Sequence, residues 1–150
     1  MDGSVAQSMR ESGLDYRYNW GWTRGYLLEL AAQYQPSREL AEALRESAVR
    51  ELLILSTMLF PREELTEQDV EAFLEKATNV ELQEQLAFNL LAYVPLAIRW
   101  AEEVVLSNAT NESRLYVALL TIANYTKRQP DKPLPEKLTE ALEPLSLIHI

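Results

Sequence analysis

The composition of this 150-residue chain restricts both its fold and its chemistry. Hydrophobic residues make up 47% of it, enough for one domain with a core, and the absence of cysteine excludes disulfides, cysteine-ligated zinc and a thiol nucleophile. The net charge of −9 opposes general binding to nucleic acid, which depends on Lys and Arg releasing counterions from phosphates. The N-terminus has no signal-peptide core and no apolar run approaches roughly 18 residues, so we expect a cytoplasmic protein without a membrane segment.

Helix formers dominate the sequence, and the few helix breakers fall between periodic segments. Only 4 Gly and 7 Pro interrupt runs of Ala, Leu, Glu, Gln and Arg, which predicts an all-α chain. In the first half of the chain we predict a short helix that ends at Gly13, a helix from Thr23 to Pro36, and two helices between Arg38 and Phe60 that are separated by a bend near Ser47. In the second half we predict a helix that begins at Thr66, one over Asn79–Val94 and one that begins at Pro95. Two more are predicted from Glu112 to about Thr126 and from Pro135 to about Leu142.

The helix predicted over Asn79–Val94 carries both core residues and candidate chemistry. Asn79 is a good N-cap, since its side-chain oxygen can accept from a free amide of the first turn. Apolar residues recur at four-residue spacing from Leu82 onward, and Tyr93 widens this buried face. On another side, the spacing brings three polar side chains onto neighbouring turns, namely Glu81, Glu84 and Gln85. That side is either an ordinary solvated face or a functional one.

The stretch Tyr16–Trp22 packs four aromatic residues and a glycine together. Such a cluster can stack nucleic-acid bases beside Arg17 and Arg24. It can also simply pack one helix end onto the next. Under the first interpretation, Tyr16, Arg17 and Trp20 contact DNA.

The helix starts recur along the chain. Alternate starts are separated by roughly 30 residues, as from Thr66 to Pro95, which indicates stacked helix pairs rather than ordinary HEAT units of ~40–47 residues. We therefore predict a HEAT-like α-α superhelix of stacked antiparallel helix pairs, with a globular bundle as the alternative. Shared helical phase predicts six buried side chains, those of Leu52, Phe73, Leu86, Leu90, Leu119 and Ile122.

The last six residues, Leu145–Ile150, depart from the helical pattern. They have no charge, cap or periodicity, and their codons can be written as a transposon-end adapter of sequencing libraries. We expect residues 1–144 to form a partial HEAT-like domain and residues 145–150 to be adapter read-through, which gives His149 no role as a ligand or base. A helical stack cut before its terminal cap exposes an apolar face, so we also expect self-association.

Four stretches carry a family resemblance, and they are Met9–Leu14, Tyr16–Gly21, Val49–Leu55 and Glu84–Leu91. Together they resemble the bacterial HEAT-like DNA alkylation-repair family, the AlkD type of alkylpurine DNA glycosylase. The motifs are hydrophobic and periodic, so they bear on fold more than on activity. The resemblance implies duplex DNA with alkylated bases as the partner, and neither a cofactor nor a metal.

The resemblance also assigns roles to individual positions. Family glycosylases hold a cationic base against aromatic faces, and a carboxylate stabilises the positive charge that develops on the sugar. Glu84 matches the position of that carboxylate, and Arg114 matches an arginine near the start of a later helix, where it would contact a phosphate. Val80 stands where the family has Trp, and Ser8 where it has Tyr. A second family Trp belongs to a region beyond residue 144.

Two functions follow from different classes of protein. The first is a DNA glycosylase or binder of alkylated DNA, in which Glu84 and Arg114 face one groove because alternate helices of a stack line the same side. The second is a non-catalytic HEAT-like scaffold that binds another protein. The net charge, Val80 and Ser8 favour the scaffold, whereas the resemblance favours repair.

Overall fold

The computed structural model describes residues 18–107 and 111–132, together with Glu136, Leu138 and Glu140. The described residues are helical and contain no β-strand, which confirms the predicted all-α class, and none of their helices is long and apolar enough to cross a membrane. The α-helices are α1 (Arg24–Ala31), α2 (Arg38–Arg45), α3 (Arg50–Leu59), α4 (Glu67–Lys76), α5 (Val80–Asn89), α6 (Pro95–Leu106) and α7 (Glu112–Arg128). The predicted first helix and the tail at 145–150 lie outside the described residues.

Side-chain caps begin most helices at the residues that the sequence predicts. A cap oxygen accepts from the backbone amide three residues later at Thr23, Ser37, Thr66, Asn79 and Asn111. At Thr66 the cap is the reciprocal capping box with Asp69. Each such cap contributes about 1 kcal/mol to helix stability. The break predicted near Ser47 separates α2 from α3, as expected.

The helix predicted over Asn79–Val94 is shorter than expected. α5 ends at Asn89, Leu90 leaves the helical conformation, and a 3₁₀ turn over Leu91–Tyr93 follows. Pro95 explains why no helix continues through Val94, because it holds that residue in an extended conformation and begins α6 as its first residue. The prediction of one continuous helix to Val94 was therefore wrong in its last turn.

Helix contacts run both between neighbours and between alternate helices. α2 packs on α3 and α6 packs on α7, while α1 contacts α3, α3 contacts α5 and α5 contacts α7. The core between them includes four of the six predicted side chains, Phe73, Leu86, Leu90 and Ile122. The other two, Leu52 and Leu119, are half-buried against it. The row of alternate helices that includes α5 and α7 positions the candidate site.

Candidate functional site

Glu84 lies on α5, and a tyrosine from α7 holds its carboxylate. The Tyr116 hydroxyl donates a hydrogen bond of 3.0 Å to Glu84 Oε1, and both residues are half-buried. Burial, and then the nearby carboxylate, raise the pKa of Tyr116 above its ordinary value, so the phenol stays neutral and remains a donor. Among the described residues, no Lys or Arg is within ion-pair distance of Glu84. Its charge is oriented but not neutralised.

Arg114 lies in the first turn of α7 and is already paired. Its guanidinium donates twice to the carboxylate of Glu71 on α4 and lies 5.5 Å from the centre of the Trp100 ring. The hydrogen bonds from Arg114 hold the pKa of Glu71 below its usual range. The pair borders a groove of about 650 Å³ that Gln83 and residues of α4 and α7 also line. Arg114 therefore borders open space while bound to an acid of the same chain.

The structure gives Glu84 and Arg114 different partners. Arg114 and Tyr116 are two positions apart on α7, so their side chains leave the helix about 200° apart. The groove beside Arg114 is lined by Gln83 but not by Glu84. Among the described residues, the two predicted site residues thus share no hydrogen-bond or ion-pair partner. Val80, the position at which the resemblance expects a Trp, is 51% exposed.

The aromatic stretch is folded back on a buried acid. Gly21 adopts a positive φ of 73°, which lets the backbone amides on either side of it, those of Trp20 and Trp22, donate to the two carboxylate oxygens of Glu51, each at 3.0 Å. The Trp20 and Trp22 rings lie 5.1 Å apart, and Trp22 contacts Tyr26 edge to face at 4.9 Å. Trp22 also packs on the core, as the helix-packing interpretation expects.

The DNA-contact interpretation of that stretch concerns three residues. Tyr16 and Arg17 lie outside the described residues, and Trp20 is half-buried beside Trp22. Trp20 keeps part of its ring at the surface, so a base contact there stays a prediction.

An ion-pair network lies beneath the aromatic stretch. Arg50 is 3% exposed and donates to Glu51, to both carboxylate oxygens of Glu81 and to the carbonyl of Trp22. Burial lowers the pKa of Arg50, but the bonds to the two acids outweigh it and leave the pKa raised. Glu51 itself is fully buried. The interpretation of Glu81 as part of a solvated face is therefore wrong, because its carboxylate partners a buried cation.

A second polar network sits between α3 and α5. Arg24 donates to Gln85 Oε1 at 3.0 Å and to Asn89 Oδ1 at 2.6 Å. The Asn89 amide in turn donates to Gln85 and to Thr57 Oγ1. Gln85, Asn89 and Thr57 are buried, so the solvated face is also wrong for Gln85. The network fixes the guanidinium of Arg24 at the surface above it.

An unexpected feature surrounds Tyr93, which was predicted to join the core. Tyr93 is 41% exposed, with the guanidinium carbon of Arg62 3.6 Å and that of Arg128 3.7 Å from the centre of its ring. Arg62 also donates to the carbonyl of Asn89, and Arg128 to that of Ala92. The sequence offered no local signal for this, because the three side chains are brought together by tertiary packing.

Within the described part of the chain, no three His, Cys, Asp or Glu side chains are grouped as metal ligands would be. Comparisons with protein-family models, with curated proteins and with solved structures gave no match. A function for the chain is therefore inferred from the contacts of Glu84, Arg114 and the surrounding side chains.

Proposed function

We propose that the chain is a DNA alkylation-repair-like protein with a HEAT-like superhelix, in which Glu84 acts on alkylated purine nucleotides of duplex DNA. The helix contacts support the fold proposal. In a stack of helix pairs, alternate helices form a row, and α1, α3, α5 and α7 contact one another in that order. Consecutive helices such as α2 and α3, or α6 and α7, supply the pairs.

One observation carries the functional proposal: Glu84 is a positioned carboxylate without a cationic partner in the described part of the chain. Asp69, Glu71 and Glu81 are instead each paired with an arginine. A carboxylate neutralised in that way has little charge to offer a substrate. Glu84 receives only a neutral phenol, which orients it and leaves its second oxygen without a protein partner among those residues.

This arrangement suits cleavage of the bond between a sugar and an alkylated purine. The electron pair of the glycosidic bond leaves with the cationic base, and the positive charge passes to the sugar ring. A fixed carboxylate stabilises that developing charge more than it stabilises the ground state. Water then adds to the sugar carbon and loses a proton. Glu84 is the charge stabiliser in this scheme.

The proposed role of Arg114 is to contact a DNA phosphate, and the carboxylate of Glu71 competes with that phosphate for its guanidinium. As a phosphate contact, Arg114 would exchange the Glu71 carboxylate for a backbone phosphate at the rim of the groove. Both side chains are partly exposed, and an ion pair of this kind is worth about 0–1 kcal/mol, so the exchange costs little. Glu71→Gln should therefore strengthen DNA binding, and Arg114→Ala should weaken it and lower the salt slope by about one unit.

The test is release of 7-methylguanine or 3-methyladenine from duplex DNA at low salt. Glu84→Gln removes the charge at nearly constant shape, so base release should be lost while DNA binding is kept. Glu103→Gln is the matched control, since Glu103 is an exposed acid on α6. Equal release by the wild type and Glu84→Gln would remove Glu84 from the chemistry.

A non-catalytic scaffold that binds another protein is the second candidate. The pairing of Arg114 with Glu71, the exposure of Val80 where the family has Trp, and the net charge of −9 all favour it. Under this proposal neither base release nor salt-dependent DNA binding is observed in the same assay. Release that depends on Glu84 would exclude it.

A further inference from the structure

Three arginines surround the end of α5 and the turn that follows it, and with Tyr93 they form what we call the Tyr93 arginine cluster. Arg62 and Arg128 both lie within van der Waals distance of the Tyr93 ring, so they must occupy its opposite faces, roughly 7 Å apart. Arg24 joins them through Asn89, whose side chain accepts from Arg24 and whose carbonyl accepts from Arg62. All three arginines are exposed.

The charges of this cluster are not balanced by acids. In the described part of the chain, none of the three arginines is within ion-pair distance of a carboxylate, although the protein has 23 acidic residues. Their partners are instead amide oxygens, backbone carbonyls and the two faces of one aromatic ring. Like charges held this close repel each other, and an anion placed among them would relieve that repulsion.

The fold holds these cations in place. Arg24 is fixed by the buried side chains of Gln85 and Asn89, and Arg62 and Arg128 are held by carbonyls at the end of α5 and in the following turn. Each guanidinium has five N–H donors, and these contacts use one or two of them. The others remain for a ligand, so little ordering is needed when an anion binds.

We propose that the Tyr93 arginine cluster is a binding site for a phosphate group. A carboxylate is matched by a single bidentate arginine, whereas a phosphate presents more oxygens and more charge and is matched by several guanidiniums. The phosphate belongs either to a nucleic-acid backbone or to a small phosphorylated compound.

The Tyr93 arginine cluster includes neither Glu84 nor Arg114. Arg128 ends α7 and Arg114 lies in its first turn, so about 20 Å of helix separates them. The two proposals are tested by different variants: base release is tested by Glu84→Gln, and phosphate binding is tested by variants of the cluster. Failure of one proposal therefore does not decide the other.

The experiment has two ligand arms. Calorimetry with inorganic pyrophosphate tests a small ligand, and fluorescence polarisation with a short labelled DNA duplex tests a backbone. The wild type should bind at least one of them. The double variant Arg62→Gln/Arg128→Gln should bind that ligand about tenfold more weakly or worse. In the duplex arm, its salt slope should also fall by about two units.

Two further proteins separate binding from folding. Arg99→Gln is the matched control because Arg99 is an exposed arginine of α6 outside the cluster, and it should bind within about twofold of the wild type. Arg62→Lys/Arg128→Lys keeps the charge but loses the planar fork, so it should fold normally and still bind more weakly. Binding of pyrophosphate alone identifies a small-ligand site, and binding of the duplex alone identifies a backbone site. No binding of either ligand, or equal binding by the wild type and both double variants, overturns the proposal.

Discussion

Replacing Arg50 with methionine should destabilise the protein severely. Arg50 is 3% exposed and is the cation that balances Glu51, which is 0% exposed, and Glu81. Methionine fills a similar volume but leaves the Glu51 charge buried with only backbone amides as partners. Breaking a buried pair in this way costs about 3–5 kcal/mol, a large share of the roughly 5–15 kcal/mol by which a domain is stable. For a chain of this size, that corresponds to a fall in Tm of roughly 10 °C.

Urea unfolding followed by circular dichroism measures this loss, with Arg99→Met as the matched control. Arg99 is exposed, so the same substitution there should change the free energy of unfolding by less than about 0.5 kcal/mol. Adding Glu51→Gln to Arg50→Met removes the stranded charge, so the double variant should lose clearly less than the two single losses together. A loss under about 1 kcal/mol for Arg50→Met, or strict additivity in the double variant, would refute the assignment of a buried ionised network.

Two further predictions concern pH. Burial alone would raise the pKa of Asp69, but bonds from Arg38 and Thr66 outweigh it and hold the pKa below the ordinary 3.8. The stability from this depressed pKa is fully present above pH 3.8 and is lost as pH falls through the folded-state pKa. In Asp69→Asn, the free energy of unfolding should therefore fall less steeply with decreasing pH in this acidic range. The same acidic pH dependence of the free energy of unfolding in the wild type and in Asp69→Asn would contradict this. Burial and then Glu84 raise the pKa of Tyr116 above 10.0, so this contribution is present below 10.0 and lost at higher pH. Ultraviolet titration of the wild type minus Tyr116→Phe should show a phenol ionising above 10.0, and Glu84→Gln should bring that ionisation closer to 10.0.

Helix starts could be read from the sequence because their causes are local. A cap oxygen and the amide it accepts from are three residues apart, so Thr23, Ser37 and Asn79 predict helix starts from the local sequence alone. Pro95 likewise predicts the start of α6 from the local sequence. The end of α5 was missed because the periodicity of apolar residues continues through Leu90 even though the backbone there does not.

The environment of polar side chains could not be read in the same way. Glu81 and Gln85 lie on the side of α5 that helical spacing predicts, but that side faces Arg50 and Arg24 from other elements rather than solvent. These partners are 31 and 61 positions away in the chain. Periodicity shows which residues share a side of a helix, and tertiary packing decides what that side meets.

The net charge of −9 is a sum over the whole chain, and it describes a local site poorly. Charges separated by more than about 8 Å of physiological salt solution are largely screened, so an anion at the Tyr93 arginine cluster responds mainly to the cluster. Several of the acids in the sum are themselves paired within the fold, as Asp69 is with Arg38 and Glu71 with Arg114. Net charge then governs the long-range approach of a polyanion, which an acidic chain slows, and leaves the strength of the final contact to the local cations. The composition therefore argues against fast, non-specific binding of nucleic acid, and it is compatible with a phosphate held at one place.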